Sequence, residues 1–168
     1  KIQAAGWNVA ITHATGDVIS RIDAHAVLPE DFSALVVRDI LEGEDIVGGI
    51  RQCIIEKDSD YGKMLLATEN SVFGSSINKS RRSKEKSYVK TMFHASYKKE
   101  VFQRVGLFNE KLLRTEDNEM HYRIRKAGYK FCYDPEIVSY QYARSSLRHM
   151  LKQKFGNGCW IGITLKIC

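Results

Sequence analysis

Apolar positions along the chain switch between helical and alternating spacing. In "KIQAAGWNVAITHATG" (1–16), Ile2, Ala5, Val9 and Ala10 fall on one stripe, which predicts an amphipathic helix closed by Gly16. "DVISRID" (17–23) is a short β-branched run and predicts a buried strand ending at Asp23. "PEDFSALVVRDILEG" opens with proline and two acids, carries Phe32, Leu35, Val36 and Ile40 at helical spacing and stops at Gly43. A strand at "DIVGGIRQCIIE" (45–56) and a helix at "YGKMLLATENSVFG" (61–74) follow. "SSINKSRRSKEKS" (75–87) has almost no apolar content and reads as a mobile basic loop.

The second half repeats the alternation. "YVKTMFHASY" (88–97) is strand-like, and "KKEVFQRVG" is a short helix ending at Gly106. "TEDNEMHYRIRKAG" predicts a strong helix, with Thr115 as N-cap, acids in its first turn, basic residues in its last and Gly128 as terminator. "YKFCYD" and "EIVSYQY" read as two short strands around Asp134-Pro135. The tail sets Leu147, Met150, Leu151 and Phe155 on one helical face. Strands alternating with helices predict an α/β fold whose sheet has parallel members.

With 168 residues the chain is long enough for one domain with a real core. No run approaches the ~18 apolar residues of a membrane span. The four cysteines are widely spaced with no C-x-x-C pair, which argues against structural zinc and suggests a reducing compartment. The first helix has no N-cap before it, so the chain is expected to derive from a longer protein. Charge changes the picture most. Residues 1–78 hold six Lys+Arg against twelve Asp+Glu, and residues 79–168 hold twenty against eight. A net of −6 joined to a net of +12 points to an anionic partner for the second half, with a solvated basic face as the plainer reading.

Three stretches could carry chemistry. In "RIDAHAVLPEDF" (21–32), Asp23 and His25 sit two positions apart where a strand ends. Ligands bind at the carboxyl ends of strands in open α/β sheets, and alternate residues of an extended chain face the same way. A carboxylate and an imidazole there are competent ligands for Mn²⁺ or Mg²⁺. The competing reading makes Asp23 a turn cap and His25 an ordinary loop histidine. Glu116 and Asp117, at a helix start, are placed to face a cleft as a general base, or are ordinary N-terminal acids. His94, in "FHASY", reads as a structural histidine first and an acceptor-side residue second.

Together, "GWNVAITHATGDVISRIDAHAVLPEDF" and "FHASYKKEVFQRVGLFNEKLLRTEDNEMHYRIRKAGYKFCYDPEIVSY" resemble an inverting GT-A nucleotide-sugar glycosyltransferase of the large family-2 type. The family runs an asparagine-bearing helix into A-x-G-D and then a strand ending in D-x-D. Here Asn8 lies on that helix and "ATGD" is residues 14–17. "YKKEVFQRVGLFNE" matches a later block, and the Glu-Asp pair follows it. The D-x-D reads Asp-Ala-His, a variant similar to that of bacterial exopolysaccharide enzymes acting on lipid-linked acceptors.

The resemblance implies a truncated GT-A fold, Rossmann-like, with a mixed, mostly parallel sheet flanked by helices and without the first nucleotide-binding part. Residues 1–145 would be the C-terminal part of the glycosyltransferase domain, and 146–168 a basic amphipathic tail helix. It also implies Asn8 and Asp23 on the donor side, Asp23 and His25 as metal contacts, and Asp117 as base with Glu116 beside it. The cofactor would be Mn²⁺ or Mg²⁺, the donor a nucleotide-sugar, and the acceptor a saccharide or a lipid-linked molecule. The acid-free tail, with Trp160 after its apolar stripe, suggests an anionic membrane surface as a further partner and a place at the inner face of the plasma membrane. Self-association through apolar surface left by the absent strands is also expected. The rival class is a non-catalytic remnant or binding module with a basic surface. Nucleic acid is not expected, because aromatic residues do not alternate with the Lys/Arg run at 79–90 and no RNA- or DNA-binding motif appears.

Overall fold

The computed structural model describes residues 2–56, 58–71, 83–143 and 146–166, so the expected loop at 75–87 lies, for 75–82, outside the described residues. In chain order the elements are α1 (Gln3–His13), β1 (Val18–Ser20), β2 (Ala26–Val27), α2 (Phe32–Leu41), β3 (Ile46–Ile54) and α3 (Asp60–Asn70). Then come β4 (Ser87–Val89), β5 (Ser96–Lys98), α4 (Lys99–Val105), α5 (Glu116–Lys126), β6 (Phe131–Tyr142) and α6 (Leu147–Thr164).

The six strands form one sheet in the order β1-β5-β3-β6-β2, with β4 also on β6. The sheet is mixed and helix-flanked. Its longest ladder, β3 with β6, is parallel, and the four shorter pairings are antiparallel. The parallel share therefore lies in that one central ladder. Alternation of strand and helix patterns does not specify the direction from which each strand enters, and β2, β4 and β5 run back against the central pair.

Period-two alternation in the central strands builds two cores. Ile46 and Phe131 face one side of the sheet, with Tyr97, Phe102 and Phe108, the α5 residues Met120 and Ile124, and Ala4 and Ile11 of α1. Their neighbours Val47 and Cys132 face the other side, under Phe32 and Val36 of α2. Burying each large side chain stabilises by about 1.5–3 kcal/mol.

Several sequence expectations shift here. The stretches read as two strands around Asp134-Pro135 are one strand, β6, with a bulge where the register slips between Gly48 and Ile50 of β3. Gly49 makes this possible: a Cβ there would lie 1.9 Å from the Ile137 carbonyl oxygen and 2.3 Å from that of Asp134. The expected strand 88–97 splits into β4 and β5, with His94 in the left-handed region at φ 45° between them. Helix α1 buries Ala4, Asn8 and Ile11, leaves Val9 62% exposed and ends before Gly16. Its buried face includes a polar residue, which apolar periodicity cannot reveal. Thr115 stands where an N-cap was expected, but at φ 61° its hydroxyl caps nothing and instead meets Thr164 Oγ1 at 2.6 Å.

Helix α6 docks through Met150, a Lys154–Glu69 ion pair to α3 and an Arg114–Asn157 hydrogen bond beside the start of α5. The rest of the tail's predicted stripe, Leu147, Leu151 and Phe155, is exposed. Among the described residues no helix is long and apolar enough to cross a membrane.

Candidate active site

The β1–β5 ladder brings the first two candidates together. Ser20 pairs with Ser96, and beyond the strand end Arg21 N donates to the Ala95 carbonyl at 3.0 Å. This continuation sets Asp23 beside His94, with Asp23 Oδ2 3.6 Å from His94 Nε2. His94 Nδ1 lies 2.8 Å from Ser139 Oγ on β6, and its Nε2 is buried without a hydrogen-bond partner. The facing imidazole holds the Asp23 carboxyl below the usual carboxylate range; burial opposes this and the charge of Arg21 adds to it. His94 thus packs against Asp23, a contact not expected from the sequence, where His94 reads as structural first and acceptor-side second.

His25 stands in a turn after Asp23 and not in the extended strand that alternation predicted. Ala26 N bonds back to the Asp23 carbonyl at 2.9 Å, so Ala24 and His25 form the corner of a turn. The exposed His25 accepts at Nε2 from the Gln141 amide. Gln141 accepts from Arg51 Nη1 at 2.7 Å, and Arg51 stacks over Phe93 at 4.1 Å.

Glu116 and Asp117 begin α5 and meet the same strand end through Arg21. Its guanidinium lies 3.5 Å from Glu116 Oε1 and 3.6 Å from Asp117 Oδ2. The rings of Trp7 and Phe108, at 5.3 and 5.7 Å, hold its plane. Burial and the adjacent Asp117 charge raise the Glu116 pKa, with a backbone N–H and Arg21 opposing. Asp117 is more open, its side chain 21% exposed against 6% for Glu116. Behind the pair, buried His121 Nε2 lies 3.1 Å from Tyr97 OH, and burial pushes the His121 pKa down to about 4.

Asn8 is engaged elsewhere. Its amide donates to the Phe108 carbonyl at 2.9 Å and to Glu110 Oε1 at 2.8 Å, and its oxygen accepts from Phe108 N at 2.9 Å. With both donor hydrogens committed to the loop after α4, it secures that loop and offers no free donor to a nucleotide.

Sequence reasoning missed Arg21, Ser139 and Gln141. The alternation that paired Asp23 with His25 also pairs Asp23 with Arg21, so that signal was present. Ser139 and Gln141 share a strand face with Ile137, but nothing local names their partners.

Residues 2–106 match the sequence profile of glycosyl transferase family 2. The chain belongs to this family. One relative, the succinoglycan biosynthesis protein ExoA of Rhizobium meliloti (strain 1021), is 32% identical over 161 residues, covering 94% of this chain and 48% of its own length. Another, from Methanococcus voltae, is a dolichyl N-acetyl-alpha-D-glucosaminyl phosphate 3-beta-D-2,3-diacetamido-2,3-dideoxy-beta-D-glucuronosyltransferase. It is 28% identical, covering 98% of this chain and 52% of its own length. The family-2 chain therefore spans about half the length of the curated relatives it matches. The solved mannosyltransferase PcManGT from Pyrobaculum calidifontis, in complex with GDP-Man and Mn²⁺, superposes with a TM-score of 0.56 at 20% identity, covering 83% of this chain and 36% of its own. GalNAc-T7 with UDP, GalNAc and Mn²⁺ gives 0.62 at 15% identity, covering 86% and 31%. These neighbours identify the fold as GT-A.

Whether a divalent cation fits is a question for the side chains. Among the described residues no three His, Cys, Asp or Glu side chains form a ready-made cluster. The strand end nevertheless offers a carboxylate oxygen at Asp23, an imidazole at His25 and a buried, unpartnered imidazole nitrogen at His94. Mg²⁺-like ions commonly take one or two protein ligands and complete their shell with water and substrate phosphate, so this donor chemistry fits.

Proposed function

We propose that this chain carries the strand-end and general-base portion of an inverting glycosyltransferase. The enzyme moves a sugar from a nucleotide-diphospho-sugar to a saccharide or lipid-linked acceptor. Support comes from family membership, from relatives whose names describe polysaccharide biosynthesis and sugar transfer, and from neighbours solved with sugar nucleotides and Mn²⁺. The observation that carries the reading is the convergence of Asp23's strand end and the Glu116–Asp117 helix start on Arg21.

In this reading Asp23 faces the donor's ribose and diphosphate. Asp117 removes the acceptor hydroxyl's proton as that oxygen attacks the anomeric carbon from the face opposite the departing diphosphate. Asp117 suits the role better than Glu116 because it is more open to solvent, whereas burial favours the neutral form of Glu116. Arg21 holds the two adjacent carboxylates together and limits their mutual repulsion. Asp23 and His25 would hold a divalent cation, which when bound supplies Lewis-acid neutralisation of charge on the leaving diphosphate. General-base help is worth ~10²–10⁴-fold, and the remainder comes from orienting donor and acceptor.

The test uses the full-length protein. Asp117→Asn should lower turnover by ~10²–10⁴-fold with donor affinity nearly unchanged. Loss of donor binding with unchanged turnover per bound donor contradicts the assignment. A product that keeps the donor's anomeric configuration rules out inversion, and full activity in excess chelator rules out metal assistance.

The exposed face of α6 extends the proposal to location. Leu147, Leu151 and Phe155 are exposed, Arg148 and Lys152 are exposed on the same helix, and Leu165 and Lys166 follow its end; Lys154 is paired with Glu69. An anionic membrane surface on the cytoplasmic side complements both features and would present a lipid-linked acceptor close to α5.

A further inference from the structure

We propose that Thr164 is a positioning residue for the Glu116–Asp117 pair, acting through Thr115, so that helix α6 sets the aim of the general base. This deepens the reading of Asp117 above and rests on it. Thr115 stands directly before the pair, and its backbone lies in the left-handed region at φ 61° and ψ 14°. A β-branched residue there is a genuine outlier, and such backbone persists where surrounding contacts over-determine it. The Thr115 hydroxyl caps no N–H of α5. Its contact with the carbonyl of its neighbour Arg114 is local and cannot fix the segment against the rest of the fold.

The hold comes from α6, at three points on one face. Thr164 Oγ1 lies 2.6 Å from Thr115 Oγ1, and the Trp160 carbonyl lies 3.4 Å from the same hydroxyl. Asn157 Oδ1 accepts from Arg114 Nη1 at 2.8 Å. Asn157, Trp160 and Thr164 are three and four positions apart, the spacing of neighbours on a helix surface. Thr164 is itself fixed: it is 8% exposed, and its hydroxyl donates to the Trp160 carbonyl at 2.9 Å. The grip reaches the carboxylates in one step. Glu119 N bonds to the Thr115 carbonyl at 3.2 Å, so the Thr115 backbone opens the turn that carries Glu116 and Asp117. Arg21 holds the same two carboxylates from the β1 side. The pair is therefore aimed by a cation on one side and by the backbone ahead of it on the other. A misplacement of about 1 Å in a reacting group can cost on the order of 10²-fold in rate.

The experiment uses the full-length protein and the donor–acceptor pair that the wild type turns over. Thr164→Val removes the hydroxyl at nearly constant volume. It should lower kcat by roughly 2–10-fold, the worth of one hydrogen bond, with the donor KM unchanged. Hydrogen exchange at the Glu119 amide should quicken in the same variant, and Thr164→Ser should restore wild-type kcat. Thr115→Gly relieves the left-handed strain while losing the hydroxyl, so it should stay as stable as wild type yet turn over more slowly. A purely structural role for Thr115 would leave kcat untouched there. Wild-type kcat or unchanged Glu119 exchange in Thr164→Val, or a loss that Thr164→Ser fails to restore, overturns this inference while leaving Asp117 as base in place. Should Thr164→Val fail to fold, Thr115→Gly decides, and wild-type kcat in it overturns the inference. Wild-type turnover in Asp117→Asn removes the base reading and this inference together.

Discussion

Asn8 and Phe108 lie a hundred positions apart, and the Asn8 side chain bonds both backbone groups of Phe108, accepting from its N–H and donating to its carbonyl. The pair pins the loop between α4 and α5 to α1. Asn8→Ala leaves both groups buried and unpaired and should lower unfolding free energy by about 2–3 kcal/mol. Asn8→Asp should be worse at neutral pH, because it places a carboxylate against the Phe108 carbonyl and Glu110. Urea denaturation of the three proteins checks the order. Under the donor-contact reading, by contrast, Asn8→Ala would leave stability unchanged and weaken sugar-nucleotide binding.

Gly49 faces the bulge of β6 at a distance no side chain can occupy. Gly49→Ala must push the two strands apart at the central parallel ladder. The expected loss exceeds about 3 kcal/mol, read as a large fall in thermal midpoint or as insoluble expression. A variant as stable as wild type would show that the ladder yields there without strain.

His121 sets a pH dependence. Its folded-state pKa is depressed from 6.5 to about 4, first by burial, with Arg21 and Arg125 adding to the shift and Asp117 opposing it. Between those values the unfolded chain binds the proton more readily than the folded one. Stability is therefore full above pH 6.5 and falls as pH drops towards 4. The contribution is roughly 3 kcal/mol. His121→Gln should remove this part of the slope, measured as unfolding free energy against pH. An unchanged slope would place the titration elsewhere.

The α6 surface gives a binding prediction. The protein should float with anionic vesicles and not with neutral ones, each basic residue near the surface adding about 1 kcal/mol. Leu151→Asp and Phe155→Asp alter exposed side chains and should abolish flotation while leaving the fold intact. Flotation unchanged by both substitutions excludes this face as the contact.

How much of this could be read from the chain depended on how local each cause was. Helix α5 was legible because its acids, basic residues and closing glycine lie within one segment. The β-branched run located β1, but the strand is half-buried to exposed and stops at Ser20, three residues before the expected end at Asp23. The burial of Asn8 was not legible, because a polar residue enters a core face only when a distant partner satisfies it. Asp39 shows the same limit. It is fully buried in α2, ion-paired with Arg38 and with Lys86, which reaches it from the segment before β4. The division of 88–97 depends on the conformation of His94, which its flanking residues do not dictate. The extended strand expected through His25 gives way to a turn, because Ala26 N bonds back to the Asp23 carbonyl, a contact that the β-branched run does not announce.

The guanidinium of Arg21, held between Trp7 and Phe108, has a consequence for how this chain can vary. Helix α1 contributes no reacting group, yet its indole is one of the two surfaces against which the acid pair's counter-charge rests. The other surface is anchored by Asn8 from the same helix. A change in the packing of α1 is thus transmitted through one rigid cation to two carboxylates on a different helix. If Glu116 and Asp117 act as proposed, substitutions at Trp7 or Phe108 adjust their setting while both carboxylates keep their identity, so selection has a remote adjustment for turnover.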